Sequence, residues 1–305
     1  MTDSKLPFSV RLKHAPLAAL LAFLGMLPLP VLYALAGIVT LAARYVARYR
    51  LRLVRTNIAT AFPDATERRH RKIVNGFYRR LGEYVAETIH TPYMSAREMK
   101  RRMRFEDTEI IDRLFDEGKD IVIYTSHFGN WEWLASVGRW CSRRDATYAF
   151  IYRPLKNRWF DRYFLRLRSR LGEAVKMHSA FRTLLTWRKS GTPFICGFLS
   201  DQKPSHHSST LDVDFFGHPT PFMTGAEEIA RKMDAAVCYF DNEILSRGHY
   251  KARIRLIAPS AAAEAAGEIT RRYTQLLQQT ISRSPEAYLW SHNRWRMNRK
   301  NPMPL

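Results

Sequence analysis

Cysteine is scarce in this chain: Cys141, Cys196 and Cys238 are the only three among 305 residues, and no two are spaced as C-x-x-C. That excludes a disulfide framework, and TPFICGF and AAVCYF place two of them as small hydrophobes inside apolar runs. A reducing, cytosol-facing compartment fits such usage. No G-x-S-x-G elbow occurs, so the serine hydrolases built on that turn are set aside. Zinc-ligand spacings, RNA-recognition blocks, internal repeats and low-complexity tracts are also missing, and SHHSS at 205–209 is the one polar loop of note. Acidic residues are few as well. Asp and Glu number 28 against 49 Lys and Arg, a net charge of +21. This excess favours an anionic partner: nucleic acid, a membrane surface, or an acidic protein or lipid. With 46% hydrophobic residues the chain is not disordered.

Charge is missing altogether from residues 15–43, APLAALLAFLGMLPLPVLYALAGIVTLAA. A bilayer core needs about 20 apolar residues in a helix. Pro28 and Pro30 interrupt the run, so it reads as a kinked spanning helix or as two helices, one lying at the interface. Arg44, Arg48, Arg50, Arg52 and Arg55 follow at once, against Lys5, Arg11 and Lys13 upstream. The positive-inside rule keeps the larger cluster in the cytoplasm. The chain therefore divides into a tail over 1–14, a hydrophobic membrane segment over 15–43, and a cytosol-facing domain over 44–305.

Beyond residue 44 helical and strand patterns alternate. Helices are expected over 44–61, from 64–67 to about 89, over 107–117 with Gly118 as C-cap, and over 130–141, 157–171, 180–189, 223–233 and 261–283. Strands are expected at 121–124, 147–152, 174–177, 193–199, 211–216, 235–240 and 250–257. The alternation predicts an α/β fold, with a mostly parallel central sheet flanked by helices. Sites in such sheets lie beyond the carboxyl ends of the strands. Three expected strand ends offer His127, Arg153 and Asp201.

The stretch YTSHFGNWEW (124–133) carries His127 and, five residues on, Glu132. His207 and Asp212 repeat that spacing, so spacing alone does not choose between them. Context does, because His127 sits at a strand end with Gly129 in the turn. A histidine accepts a proton near neutral pH, and a carboxylate on its other ring nitrogen fixes the tautomer. Ser126 is adjacent in sequence but points to the opposite face of a strand. With no protein nucleophile, His127 activates a substrate hydroxyl directly.

SHFGNWEW resembles the H-x-x-x-x-[D/E] motif of glycerolipid-type acyltransferases, and more closely that of the lipid A biosynthesis (lauroyl/myristoyl) acyltransferases. RTNIATAFPD (55–64), YRPLKNRWFDRYFLRLRSRLG (152–172), LSDQKP (199–204), DFFGHPTPFMTGAEEIARKMDAAV (214–237) and YLWSHNRWRMN (288–298) extend the resemblance over most of the chain. It implies direct transfer of a fatty acyl chain from acyl carrier protein, or from coenzyme A, to a hydroxyl of a lipid A precursor at the bacterial inner membrane. His127 would be the general base and Glu132 its partner, with no covalent acyl-enzyme, cofactor or metal and no nucleic acid. Another lipid or glycolipid acceptor is the alternative; a non-enzymatic basic membrane or nucleic-acid binding protein is the remote one. Arg153 would bind a phosphate of donor or acceptor, or pair with Asp161 at the surface. Asp201 would hold Arg153 or a backbone turn. Asn130, Arg170, Thr224 and Gly225 fall in matching blocks as further substrate-binding candidates. A metal at His206, His207, Asp212 and Asp214 matches no standard ligand motif. Phe128, Trp131 and Trp133 would wall an acyl slot or fill the core.

Overall fold

The computed structural model describes residues 7–205 and 208–295. A single turn, α1 (Phe8–Lys13), leads into α2 (Ala15–Met26) and α3 (Leu29–Tyr45). Leu27 adopts an extended ψ of 148° because it precedes Pro28, and Pro28 with Pro30 starts the next helix. The uncharged run is thus two helices of 12 and 17 residues in place of one kinked helix. No helix among the described residues is long and apolar enough to cross a membrane. The outer faces of this hairpin leave Phe23, Met26, Ile38, Val39 and Leu41 more than half exposed.

Arg48 and Arg50 adopt positive φ and separate α3 from α4 (Leu51–Ala61), so the helix expected from residue 44 begins seven residues later. Thr66 caps α5 (Glu67–His90) by accepting from the Arg69 amide. The hairpin lies along α5, and Gly82 permits the approach. A Cβ at Gly82 would sit 2.8 Å from Thr40 Cγ2 and 3.2 Å from the Ala36 carbonyl.

The remaining elements alternate as the sequence implies. They are α6 (Ala96–Arg102), β1 (Met103–Glu106), α7 (Glu109–Asp116), β2 (Ile121–Thr125), a 3-10 helix over Trp131–Arg139, β3 (Thr147–Tyr152), α8 (Arg158–Arg168), β4 (Glu173–Lys176), α9 (Ala180–Lys189) and β5 (Phe194–Leu199). Then follow β6 (Thr210–Phe215), β7 (His218–Met223), α10 (Gly225–Lys232), β8 (Ala236–Ser246), β9 (His249–Ala258) and α11 (Glu268–Arg283). Seven strands form one sheet in the order β1-β9-β8-β2-β5-β3-β4, while β6 and β7 pair as a separate hairpin. Only β8 and β9 are antiparallel within the large sheet.

Helices cover both faces of that sheet, and the period-2 alternation of the strands assigns side chains to each. Val122, Tyr124, Cys196, Val237 and Tyr239 face the layer that includes α4, α5, α9, α10 and α11. Ile121, Ile123, Ile195, Cys238 and Phe240 face α6, α7 and the 3-10 helix. All three cysteines are buried and free, and burial pushes the Cys141 and Cys238 thiols up to about 12. They are core residues.

Candidate active site

Strands β2 and β5 are parallel neighbours, with Thr125 opposite Leu199. Residues two places past each carboxyl end therefore emerge side by side. These are His127 and Asp201. Asp201 Oδ1 lies 2.8 Å from His127 Nδ1, and Oδ2 accepts the His127 backbone N–H at 3.1 Å. The carboxylate is buried while the imidazole keeps an exposed edge, 15% of its side chain. Gly129 turns the chain at φ +58°, and a Cβ there would come within 3.1 Å of the Tyr250 ring. The C-terminal segment clamps the turn. Gly129 N–H donates to the Ala287 carbonyl, Leu289 N–H to that of His127, and the Tyr288 hydroxyl to that of Asp201.

Burial alone would raise Asp201, but the charge of His127 and its N–H donors outweigh it and hold the carboxyl below the usual carboxylate range. An ionised carboxylate only accepts, so Nδ1 carries a proton, and in the neutral ring Nε2 keeps the lone pair. Gln202 Nε2 stands 3.1 Å from that second nitrogen. The pair is therefore arranged as a base with its orienting acid. A second histidine, His292, accepts the Lys203 N–H at 2.9 Å, and burial pushes it down to about 4, so it is neutral at pH 7. Ser126 is wholly buried.

Glu132 is not on the His127 ring. Its two oxygens take Nη2 and Nε of Arg168 at 2.6 and 2.8 Å. The tight 3-10 geometry after Asn130 turns Glu132 towards α8, and Nδ1 is already occupied by Asp201. Glu132 as the ring's partner is thus corrected to Asp201. Burial disfavours the Arg168 charge, but the Glu132 bonds overcome this and raise the group further. Trp131 stands edge-on to His127, with ring centroids 5.1 Å apart, and stacks on Tyr84 at 4.0 Å. Phe128 and Trp133 are core, Trp133 with its indole N–H on Thr91 Oγ1. Of the three aromatics only Trp131 lines the site.

Asn130 is buried, and its side-chain amide donates to Glu87. Arg153 is exposed past the end of β3 and pairs with neither Asp201 nor Asp161 among the described residues; Asp161 instead accepts the Leu155 N–H. Arg170 is exposed after α8, its carbonyl accepting from Arg139. Thr224 and Gly225 begin α10, and the Thr224 hydroxyl donates to Glu228. No hydrogen bond among the described residues joins these last three to His127. His206 and His207 lie outside the described residues, while Asp212 and Asp214 fall on β6. Sequence reasoning missed Arg168 and Gln202 as site residues. Arg168 was one arginine among four on α8, and Gln202 stood beside Asp201 with no role given to it.

A cavity of about 410 Å³ opens between α2 and α8. Ala18, Leu21, Ala22 and Leu167 line it with Trp159 and Tyr163, and Arg166 and Arg170 stand among its walls. The same helix α8 grips Glu132 through Arg168.

The sequence model of the family described as bacterial lipid A biosynthesis acyltransferase matches residues 12–297. The chain is similar to a lipid A biosynthesis palmitoleoyltransferase of Escherichia coli (strain K12), 22% identical over 88% of this chain and 86% of that one. A lipid A biosynthesis acyltransferase of Haemophilus influenzae is 21% identical over 77% of this chain and 72% of its own. A phosphatidylinositol mannoside acyltransferase of Mycobacterium tuberculosis (strain H37Rv) is 24% identical over 52% of each chain.

Proposed function

The chain belongs to the bacterial lipid A biosynthesis acyltransferase family, and from that premise we propose that it moves a fatty acyl chain from acyl carrier protein to a hydroxyl of a phosphorylated lipid A precursor. The observation that carries the mechanism is the Asp201–His127 pair, with Nε2 the only ring nitrogen left to accept a proton. That nitrogen takes the proton of the acceptor hydroxyl as the oxygen attacks the thioester carbonyl. A C–O bond forms, the C–S bond breaks, and the proton passes from the imidazolium to the departing thiolate. Asp201 holds the tautomer before the step and the imidazolium charge during it. Gln202 yields Nε2 to the incoming hydroxyl. The Glu132–Arg168 pair fixes α8, and with it the wall of the cavity, against the loop that carries His127.

The excess of basic residues fits this reading. Donor protein and acceptor lipid are both anionic, and the cavity couples apolar walls to Arg166 and Arg170. The exposed outer faces of α2 and α3, followed by the arginine collar, suit a hairpin lying in the cytoplasmic leaflet of the inner membrane with the α/β body in the cytosol.

Mass spectrometry of lipids from cells with and without the gene tests the assignment. Lipid A should lose one acyl chain on deletion, regain it with the wild-type gene, and fail to regain it with His127→Ala. Unchanged lipid A together with loss of a chain from another glycolipid would move the acceptor, in line with the similarity to the mannoside acyltransferase. Full rescue by His127→Ala would remove the base.

A further inference from the structure

Glu87 is a carboxylate with no cation. It lies on α5, fully buried, and makes no ion pair among the described residues. Its hydrogen-bond donors come from three separate places. The Tyr33 hydroxyl on α3 donates to Oε1 at 2.9 Å, the Tyr250 hydroxyl on β9 to Oε2 at 2.8 Å, and Asn130 Nδ2 to Oε2 at 2.8 Å. Burial pushes Glu87 up to about 7, against the pull of these donors. Glu83, one turn earlier, adds to the rise, though it is itself paired with Arg80 and Arg247; Arg102 acts on Tyr33. Packing alone gives no reason to keep so costly a group here, because two phenols and an amide could bond to a neutral partner.

The consequence is at Asn130. Above about pH 7, where Glu87 is ionised, it accepts only, and the Asn130 amide turns its NH₂ towards it. Its Oδ1 is then a buried acceptor with no partner. Such a group in a native protein calls for one. Asn130 is three residues after His127 and two before Glu132, in the loop that carries the base.

We propose that Glu87 is a positioning residue: it locks the Asn130 amide so that Oδ1 faces a hydrogen-bond donor of the bound substrate, and it ties that loop to the N-terminal hairpin through Tyr33. This assignment rests on the acyl-transfer reading above. Glu87→Gln removes the lock, since an NH₂ standing in the Oε2 place donates to Asn130 Oδ1 and turns the Asn130 NH₂ towards the substrate. Asn130→Asp alone sets two carboxylates face to face. The double variant Glu87→Gln/Asn130→Asp restores a donor–acceptor match and an acceptor facing the site.

The experiment measures acyl transfer from acyl carrier protein to a phosphorylated lipid acceptor by the full chain in detergent, with thermal stability and the ¹⁵N side-chain amide signal of Asn130. Glu87→Gln should lower kcat roughly tenfold, the size of one lost hydrogen bond, with KM within about twofold. Its thermal stability at pH 8 should not fall, and the Asn130 amide signal should shift. Asn130→Asp should be worse, and the double variant should return to within a few fold of wild type. Unchanged kcat in Glu87→Gln, a loss of kcat that only tracks lost stability, an unshifted amide signal, or a double variant no better than its parents would each overturn the assignment. A wild type that transfers no acyl chain to any lipid hydroxyl would overturn the reaction itself, while the amide signal still decides whether Glu87 orients Asn130.

Discussion

Replacing Asp201 by Asn keeps the volume and removes one acceptor, and the geometry sets the cost. Oδ2 takes the His127 backbone N–H at 3.1 Å and Oδ1 takes Nδ1 at 2.8 Å. An Asn side chain has one oxygen. If that oxygen stays on the backbone N–H, the new NH₂ faces Nδ1, which must then be the unprotonated nitrogen. The ring proton moves to Nε2, and the nitrogen facing the substrate becomes a donor in place of a base. The alternative rotamer keeps the tautomer but sets NH₂ against a backbone N–H in a fully buried position, leaving both donors unpaired at about 1–3 kcal/mol. The general-base contribution is typically 10²–10⁴-fold, and a reversed tautomer forfeits most of it. Steady-state transfer by the purified full chain in detergent should therefore show kcat down by roughly 10²–10⁴-fold with KM nearly unchanged. A kcat within threefold of wild type, in a variant whose folding is intact, would refute the tautomer argument.

Glu132→Gln should act differently. It leaves the part-buried Arg168 guanidinium with one acceptor in place of a bidentate carboxylate, so the unfolding free energy from denaturant titration should drop, by less than the roughly 3–5 kcal/mol of a fully buried pair. Undiminished stability with abolished transfer would return Glu132 to a direct chemical role. Buried Glu87 and half-buried His292 bear on stability against pH in opposite senses. Glu87 is raised from 4.5 to about 7, so the unfolded chain releases a proton that the folded one keeps, and stability falls as pH rises through that window by about 3 kcal/mol. His292 is lowered from 6.5 to about 4, so stability falls as pH drops through its own window. Urea midpoints should then vary little between about pH 4.5 and 6.5 in wild type, whereas Glu87→Gln should climb with pH there; parallel curves for the two proteins would contradict this. Phe23→Asp with Ile38→Asp, on the outer hairpin faces, should abolish sedimentation with anionic vesicles while leaving thermal stability within about 1 kcal/mol, since both side chains are already exposed. Unchanged sedimentation would move the membrane contact elsewhere.

Most of the sheet was legible because its strands are apolar runs bounded by turn residues, as at Ile121–Thr125 and Phe194–Leu199. Two elements were not. Met103–Glu106 has four residues, too few for a period to show. His218–Met223 carries Pro219 and Pro221, which argue against a strand, yet pairs with Thr210–Phe215 in an isolated two-stranded hairpin whose edges tolerate proline. His127 was legible from its strand end and glycine turn. Its partner was not, because the neighbourhood of β2 and β5 is set by a strand order that brings residues 74 apart together. The five-residue spacing to Glu132 pointed to a local pair, and the 3-10 helix turned that carboxylate onto α8 instead.

In the proposed mechanism His127 Nε2 removes the proton from a lipid hydroxyl. Single-turnover transfer of a labelled acyl chain from acyl carrier protein to a phosphorylated lipid A precursor, by wild type and by His127→Ala, tests it most directly. Wild type should form the ester with no labelled protein at any time point, and the variant should be roughly 10²–10⁴-fold slower. Equal rates, or label trapped covalently on the protein before the ester appears, would contradict it.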